Sequence, residues 1–219
     1  MWHDYVHAKI PYDAWIRANP HLAALLARIP TPKYIFTNAD EEHAVACLSR
    51  LGMSHRPRTK EQSEKEKDQD SSPLFEGIVS FDSVMAAAHT RGLVRPLTYE
   101  DGTTGELFPI VCKPQREAFE LALAQCGYTS SDRSRVLFID DSPRNIAGAR
   151  ALGMKTVYVG TGTVESEWSV VRLEELPKVC PELFSLGLEG LPPVNESVPD
   201  ETEVGRESPA GVDYSMAQV

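Results

Sequence analysis

The chain has 219 residues, a length that excludes a large multidomain assembly. Its composition, 42% hydrophobic and 25% charged, excludes global disorder. Its 22 basic and 32 acidic residues give a formal net charge of -10, which disfavours a nucleic-acid backbone or an anionic membrane as a direct partner. A phosphate ligand would therefore need a cation beside it.

The cysteines and the apolar runs narrow the class of protein further. The four cysteines form no CxxC pair and have no histidine at zinc-ligand spacing. No apolar run approaches the roughly 18 residues of a membrane span, and the N-terminus has no signal-peptide pattern. We therefore expect reduced thiols and a cytoplasmic protein, with the nucleus as the alternative compartment.

Short apolar runs alternate with helical patterns along the chain. Asn19 and Pro20 open a helix that is predicted to end at Ile29. The run over 34–36 predicts a strand, and the helical pattern after it ends at Gly52. Such alternation predicts right-handed crossovers and an α/β fold with a doubly wound, mainly parallel sheet. The later predicted elements are strands over 78–81, 136–139 and 156–159 and helices that end near Gly127 and Gly153.

Three stretches interrupt this pattern. Residues 54–73 are polar and dense in Lys and Glu, which predicts a solvated loop. Residues 85–109 hold several Gly and Pro among few periodic apolar positions, which predicts an insertion with little regular structure. Residues 189–219 are aperiodic and mostly acidic, which predicts a disordered tail. The remaining core is expected to span residues 33–188, after an N-terminal segment over 1–32.

In sheets of this kind, ligands bind beyond the carboxyl ends of the strands, and polar side chains follow two of the apolar runs in this chain. Thr37 and Asn38 come after the first strand, and their hydroxyl and amide can donate to a phosphate oxygen. An ordinary turn, with Asp40 capping the next helix, is the alternative. Lys113 lies between an apolar run and a proline at a helix start, where a fixed cation attracts anions; an ordinary surface lysine is the alternative.

Asp140 and Asp141 stand together at the end of the apolar run over 136–139. Two carboxylates this close need a cation between them or a raised pKa. Oxygen ligands at a rigid strand end suit Mg²⁺, which uses one or two protein carboxylates together with a substrate phosphate. The alternative, a helix cap by Asp141 or Ser142, explains one acid and leaves the other unpaired. The pair therefore predicts a magnesium site.

In this order, the Thr-Asn after a strand, the Lys-Pro before a helix and the Asp-Asp-Ser-x-x-Asn after a buried strand resemble motifs two, three and four of the haloacid dehalogenase (HAD) superfamily. The flanking segments 6–26 and 139–160 are similar to its pyrimidine 5′-nucleotidase-like branch in plants and fungi. The resemblance covers about residues 2–163 without the insertions, and it implies that Asn145 helps to shape the acidic loop.

The resemblance also implies a function and a role for each matched position. The resemblance to the nucleotidase-like branch implies a phosphomonoester hydrolase that uses Mg²⁺, so the expected substrate is a small phosphorylated metabolite such as a nucleoside monophosphate. Thr37 and Asn38 would contact the phosphoryl group, and Lys113 would neutralise it together with the nucleophile. Asp140 and Asp141 would hold the Mg²⁺.

The chain departs from the superfamily at the first motif, an apolar strand that ends in Asp-x-Asp-x-Thr and precedes the Thr motif. The pattern Asp68-x-Asp70 follows charged residues and comes after Thr37, so we do not interpret it as this motif. We therefore expect a HAD-type sheet that lacks its N-terminal strand and most of its cap. Residues 1–32 would be the remnant of that cap and its linker, and this chain alone would be inactive.

Other interpretations remain open at this point. A non-catalytic isoform could bind phosphate and Mg²⁺, or associate with a protein partner or with itself through the strands left exposed. A response-regulator receiver is disfavoured, because its acidic pair comes on the first strand and its lysine comes last, whereas Lys113 here precedes Asp140.

Overall fold

A computed structural model describes residues 11–57, 72–99 and 102–185 of the chain. Its elements up to the hairpin are α1 (Tyr12–Trp15), α2 (Pro20–Ala27), β1 (Tyr34–Phe36), α3 (Glu41–Leu51), β2 (Gly77–Val79), α4 (Phe81–Thr90), β3 (Arg95–Thr98) and β4 (Thr104–Phe108). They are followed by α5 (Arg116–Gln125), a 3₁₀ helix (Ser130–Arg135), β5 (Leu137–Asp140), α6 (Pro143–Ala151), β6 (Lys155–Val159), β7 (Trp168–Val170), a second 3₁₀ helix (Leu173–Glu175), α7 (Leu176–Val179) and α8 (Glu182–Ser185).

The strands confirm an α/β fold with mainly parallel pairing. β1 pairs with β2, and β5, β6 and β7 form a three-stranded sheet in that order; every ladder in these two sheets is parallel. The described strands therefore form two parallel sheets instead of the single sheet that the sequence predicted. Within the described residues, β1 and β5 share no ladder, so each presents an edge.

The predicted helix ends are set by local chemistry. The Asn19 side chain accepts a hydrogen bond from the Leu22 N–H at 2.9 Å at the start of α2. Gly52 ends α3 with φ at 71°, a left-handed conformation that glycine adopts without a Cβ penalty. The structure thus places these two ends at the predicted cap positions.

An aromatic trio connects the two parallel sheets. Phe36 of β1, Phe119 of α5 and Phe138 of β5 meet edge to face, with ring centroids between 5.2 and 6.4 Å apart. Phe119 is almost completely buried. Edge-to-face pairs are a favoured geometry for aromatic rings, so this contact fixes the ends of β1 and β5 relative to α5.

The segment 85–109 is more regular than its composition predicted. Its first residues complete α4, which buries Val84, Met85 and Ala88, and its later residues form the antiparallel hairpin of β3 and β4. The alanine-rich helix gave a weak periodic signal, and Gly102, with φ at 79°, allows the turn of the hairpin.

Several boundaries also differ from the prediction. The strand expected over 78–81 ends at Val79, because Ser80 caps α4 by accepting from the Ser83 N–H. The short strand β7 was not predicted. Residues 58–71 of the predicted loop and the predicted tail over 189–219 lie outside the described residues.

Candidate active site at the carboxyl ends of two strands

The residues singled out in the sequence converge where β1 and β5 end. Thr37 and Asn38 directly follow β1, and Asp140 is the last residue of β5. Lys113 reaches the same place from the segment between β4 and α5, as its contacts with both strands show. β1 and β5 belong to different sheets, and the Phe36, Phe119 and Phe138 contacts together with the Lys113 bonds hold their carboxyl ends close, which is why positions far apart in the chain meet here.

The Lys113 ammonium bridges the two sheets. Its Nζ donates to the Phe36 carbonyl at 2.7 Å and to the Asp140 carboxylate at 2.8 Å. The Lys113 side chain is only 8% exposed and that of Asp140 only 7%. Nζ also lies 5.0 Å from the centre of the Phe36 ring and 5.5 Å from that of Phe138, within the range of a cation–π interaction.

The Asp140 carboxylate is held on both of its oxygens. Oδ2 accepts from Lys113, and Oδ1 accepts from the Ser142 N–H at 2.8 Å and from the Asn145 amide at 2.9 Å. Ser142 occupies the N-cap position of α6 without a side-chain cap bond, so Asp140 serves that helix end instead. A carboxylate has about four lone-pair sites, and three donors leave one of them for a cation.

Asn38 has a contact that sequence reasoning missed. Its amide donates to the Lys113 carbonyl at 3.0 Å, and its Oδ1 accepts from the Lys113 N–H at 2.9 Å. The amide that we expected to face a phosphate therefore holds the backbone of Lys113. The one sequence signal for this contact was that two polar residues, Thr37 and Asn38, follow a strand. A pair of hydrogen bonds between distant segments leaves no pattern in the sequence.

Thr37 and Asp40 complete the loop after β1. Thr37 Oγ1 accepts from the Ala39 N–H at 3.0 Å, and a threonine hydroxyl can also donate its hydrogen. The Asp40 side chain accepts from the His43 N–H at 2.7 Å and caps α3. The helix cap that was weighed as an alternative is thus present, three residues after Thr37.

A glycine allows α6 to pack against the Lys113 segment. A Cβ on Gly148 would lie 2.6 Å from the Pro114 carbonyl oxygen and 3.0 Å from the Phe119 ring. Glycine inside a helix costs about 1 kcal/mol relative to alanine, and here the absence of a Cβ allows α6 to lie close to Pro114. The contact keeps α6, with the acidic residues before it, near Lys113.

The residues at this edge fit a hard divalent cation, although they supply few ligands. Asp140 retains one lone pair, and the Asp141 side chain is exposed. Among the described residues, no group of three or more His, Cys, Asp or Glu is placed to hold a metal ion. Mg²⁺ commonly keeps several waters and takes one or two carboxylates plus a phosphate, so two carboxylates are compatible with it.

Two thiols with displaced pKa values follow helices. Burial raises the pKa of Cys126, next to the last residue of α5, to about 11. Burial and a hydrogen bond to Glu182 raise the pKa of Cys180, which follows α7, to about 11. Both thiols are therefore protonated at neutral pH and are not nucleophiles there.

In the part of the chain that the structure describes, no helix is long and apolar enough to cross a membrane.

Comparison with known proteins relates the chain to HAD-like hydrolases. A family model described as HAD-hydrolase-like matches residues 110–182, the segment that includes Lys113, Asp140 and Asp141. Phosphate metabolism protein 8 of Saccharomyces cerevisiae is 23% identical over 163 residues, which are 70% of this chain and 38% of that protein. The matches do not separate a nucleotidase branch from other HAD-like hydrolases.

Solved structures with some similarity include two proteins. A dehalogenase with an intermediate complex is 15% identical, with a TM-score of 0.46 over 73% of this chain and 55% of that chain. A conserved haloacid dehalogenase-like protein of unknown function from Agrobacterium tumefaciens is 20% identical, with a TM-score of 0.44 over 74% of this chain and 59% of that one. The chain thus spans less than two thirds of each of these relatives.

Proposed function

We propose that this chain carries the phosphate-binding and Mg²⁺-binding part of a HAD-type phosphomonoesterase site. The observation that carries the proposal is the buried Lys113 ammonium, which bridges the ends of β1 and β5 next to Thr37 and Asp140. The HAD-like match over 110–182 supports it, and the yeast relative is named for phosphate metabolism.

The side chains at this edge have complementary chemistry toward a phosphate group. Lys113 supplies a fixed positive charge, and two of its three N–H donors already have partners on β1 and β5. The Thr37 hydroxyl supplies a further donor. Asn38 acts indirectly, because it fixes the backbone from which the Lys113 side chain extends.

The acidic residues would hold the cation. Asp140 and Asp141 are the residues that would bind Mg²⁺, which when bound polarises phosphoryl oxygens and neutralises their charge. Asn145 and the Ser142 N–H keep the Asp140 carboxylate in one orientation. This orientation leaves the Asp140 lone pair in a fixed place for the cation.

Hydrolysis by the HAD route needs a carboxylate nucleophile. A carboxylate oxygen attacks phosphorus while the P–O bond of the ester breaks, and an acid gives its proton to the leaving oxygen. Water then hydrolyses the acyl phosphate. In the 219-residue sequence, no Asp-x-Asp-x-Thr follows an apolar run. We therefore propose that this chain alone binds phosphate without turning over esters, and that a strand carrying the nucleophile would complete the site.

The proposed substrate class follows from the resemblance of the flanking segments to the pyrimidine 5′-nucleotidase-like branch. It is a small phosphorylated metabolite, and a nucleoside monophosphate is the specific candidate. A second candidate function is non-catalytic binding of phosphate and Mg²⁺, which the lack of a nucleophile motif in this sequence favours.

The test compares the chain with an extended form. The chain alone is expected to hydrolyse p-nitrophenyl phosphate at the background rate. A form preceded by an apolar strand that ends in Asp-x-Asp-x-Thr is expected to show Mg²⁺-dependent hydrolysis that Asp140→Asn abolishes. Turnover by the chain alone that is lost in Asp140→Asn would contradict the missing nucleophile. An extended form that is folded and inactive would count against the phosphatase function and favour binding alone.

A further inference from the structure

A histidine and a cysteine meet on α3, apart from the residues at the ends of β1 and β5. The Cys47 Sγ lies 3.6 Å from the His43 Nε2, and both residues are half-buried, so both keep contact with solvent. We expected no histidine partner for the cysteines, and this contact corrects that expectation for Cys47. The helix brings the two side chains together, because residues four positions apart lie on the same helical face.

The His43 ring is also held at its other nitrogen. The Tyr12 hydroxyl oxygen of α1 lies 2.6 Å from the His43 Nδ1, and the two ring centroids are 5.5 Å apart. When Nδ1 donates its hydrogen to Tyr12, Nε2 carries the lone pair that faces Cys47. Metal-binding histidines commonly have their second nitrogen in such a hydrogen bond, which fixes the tautomer and the orientation of the ring.

The distance between the sulfur and the nitrogen is that of two ligands on one metal ion. In a tetrahedral zinc site, a Zn–S bond of about 2.3 Å and a Zn–N bond of about 2.0–2.1 Å place the two ligand atoms about 3.6 Å apart. The same separation of 3.6 Å is found between Cys47 and His43. As a hydrogen bond alone this contact would be weak, because a thiol is a weak donor and a weak acceptor.

The charges around this pair favour a cation. Glu41 and Glu42 are in the first turn of α3, and Asp40 is its N-cap. The Arg50 guanidinium lies 2.7 Å from the Asp13 carboxylate, which offsets its repulsion toward a positive ion. The helix therefore carries more acidic than basic side chains next to the two ligand atoms.

We propose that His43 and Cys47 bind Zn²⁺, or another divalent cation that prefers nitrogen and sulfur ligands, and that Tyr12 positions the imidazole. A thiolate and an imidazole select such cations over Mg²⁺. Burial raises the pKa of Cys47, so the thiol gives its proton to solvent as the metal–sulfur bond forms. Among the described residues, no third His, Cys, Asp or Glu is placed to join the pair, so water completes the coordination. This site does not depend on the proposed function.

Titration of the full chain with Co²⁺ tests the site, because Co²⁺ replaces Zn²⁺ and its bond to a thiolate gives a charge-transfer band in the near ultraviolet. We expect this band in the wild type, and we expect Zn²⁺ but not excess Mg²⁺ to remove it. Cys47→Ser should abolish the band, and His43→Gln should lower the Co²⁺ affinity by about 10-fold or more. No band in the wild type, or a band that persists in Cys47→Ser, would overturn the proposal.

Matched controls carry the same changes elsewhere in the chain. Cys112→Ser removes another half-buried thiol, and His89→Gln removes an exposed histidine near the end of α4. Both proteins should keep the band and the wild-type affinity, and an equal loss in either would refute the assignment. Tyr12→Phe should lower the Co²⁺ affinity about 10-fold and keep the band at saturation. Wild-type affinity in Tyr12→Phe would refute the positioning role, which a purely structural contact would also leave unmoved.

A measurement on the wild type alone keeps the test valid if a variant fails to fold. Alkylation of the folded protein by iodoacetamide is followed by peptide mass mapping, with and without Zn²⁺. Bound Zn²⁺ should slow the labelling of Cys47 several-fold and leave the labelling of Cys112 unchanged, because a coordinated sulfur is shielded from the reagent. Equal labelling of Cys47 with and without Zn²⁺ would overturn the proposal.

Discussion

Replacing Lys113 by methionine tests how much the buried ion pair contributes to the fold. The change keeps most of the side-chain volume and leaves Asp140 with its bonds from Ser142 and Asn145 but without a cation, at 7% exposure. Breaking one partner of a buried pair costs about 3–5 kcal/mol. The two remaining donors place the expected loss near the lower end, about 3 kcal/mol, which is a large part of the about 5–15 kcal/mol of a typical domain.

The assay is urea unfolding followed by circular dichroism, with two comparison proteins. Arg50→Met breaks the ion pair of Arg50 with Asp13, whose side chain is 88% exposed, and should cost only about 0–1 kcal/mol. The double variant Lys113→Met with Asp140→Leu leaves no lone charge, so it should lose less than the sum of the two single changes. A Lys113→Met loss no larger than that of Arg50→Met, or strict additivity, would refute the reasoning.

Three further expectations follow from the same structure. Asn38→Ala should speed hydrogen exchange of the Lys113 amide and lower the free energy of unfolding by about 1–2 kcal/mol, because two hydrogen bonds are lost. Asn38→Asp can still accept from that amide and should lose less stability. Equal exchange of the Lys113 amide in the wild type and both variants would contradict the Asn38 contact. The open edges of β1 and β5 should cause concentration-dependent self-association in sedimentation experiments, and a monomer with a sharp cooperative melt at every concentration would argue against it. The raised pKa values of Cys126 and Cys180 should slow alkylation of the folded protein at neutral pH, and mass spectrometry that finds equal labelling of folded and urea-unfolded protein would oppose this. The free energy of unfolding should also fall as the pH rises from about 9 to about 11, because the thiols of the unfolded chain lose their protons first.

The sequence was sufficient for the fold class, and it singled out residues at strand ends whose functional role stays a prediction. Apolar runs that alternate with capped helices require parallel strands, and parallel strands bring their carboxyl ends together. The positions of Thr37 and Asp140 after or at the ends of predicted strands therefore favoured a common location. In the structure, Thr37 follows β1, and Lys113 joins the last residue of β1 to Asp140 at the end of β5. Their roles toward phosphate and Mg²⁺ remain predictions.

The tertiary structure decided what these side chains do to one another. That Asn38 binds the Lys113 backbone and that Lys113 pairs with Asp140 are contacts between segments 75 and 27 residues apart in the chain. The separation into two sheets, with unpaired edges on β1 and β5, likewise depends on which strands find partners. Sequence patterns report burial and local conformation within a segment, whereas hydrogen bonds between distant segments depend on atomic distances that exist only after the segments have packed.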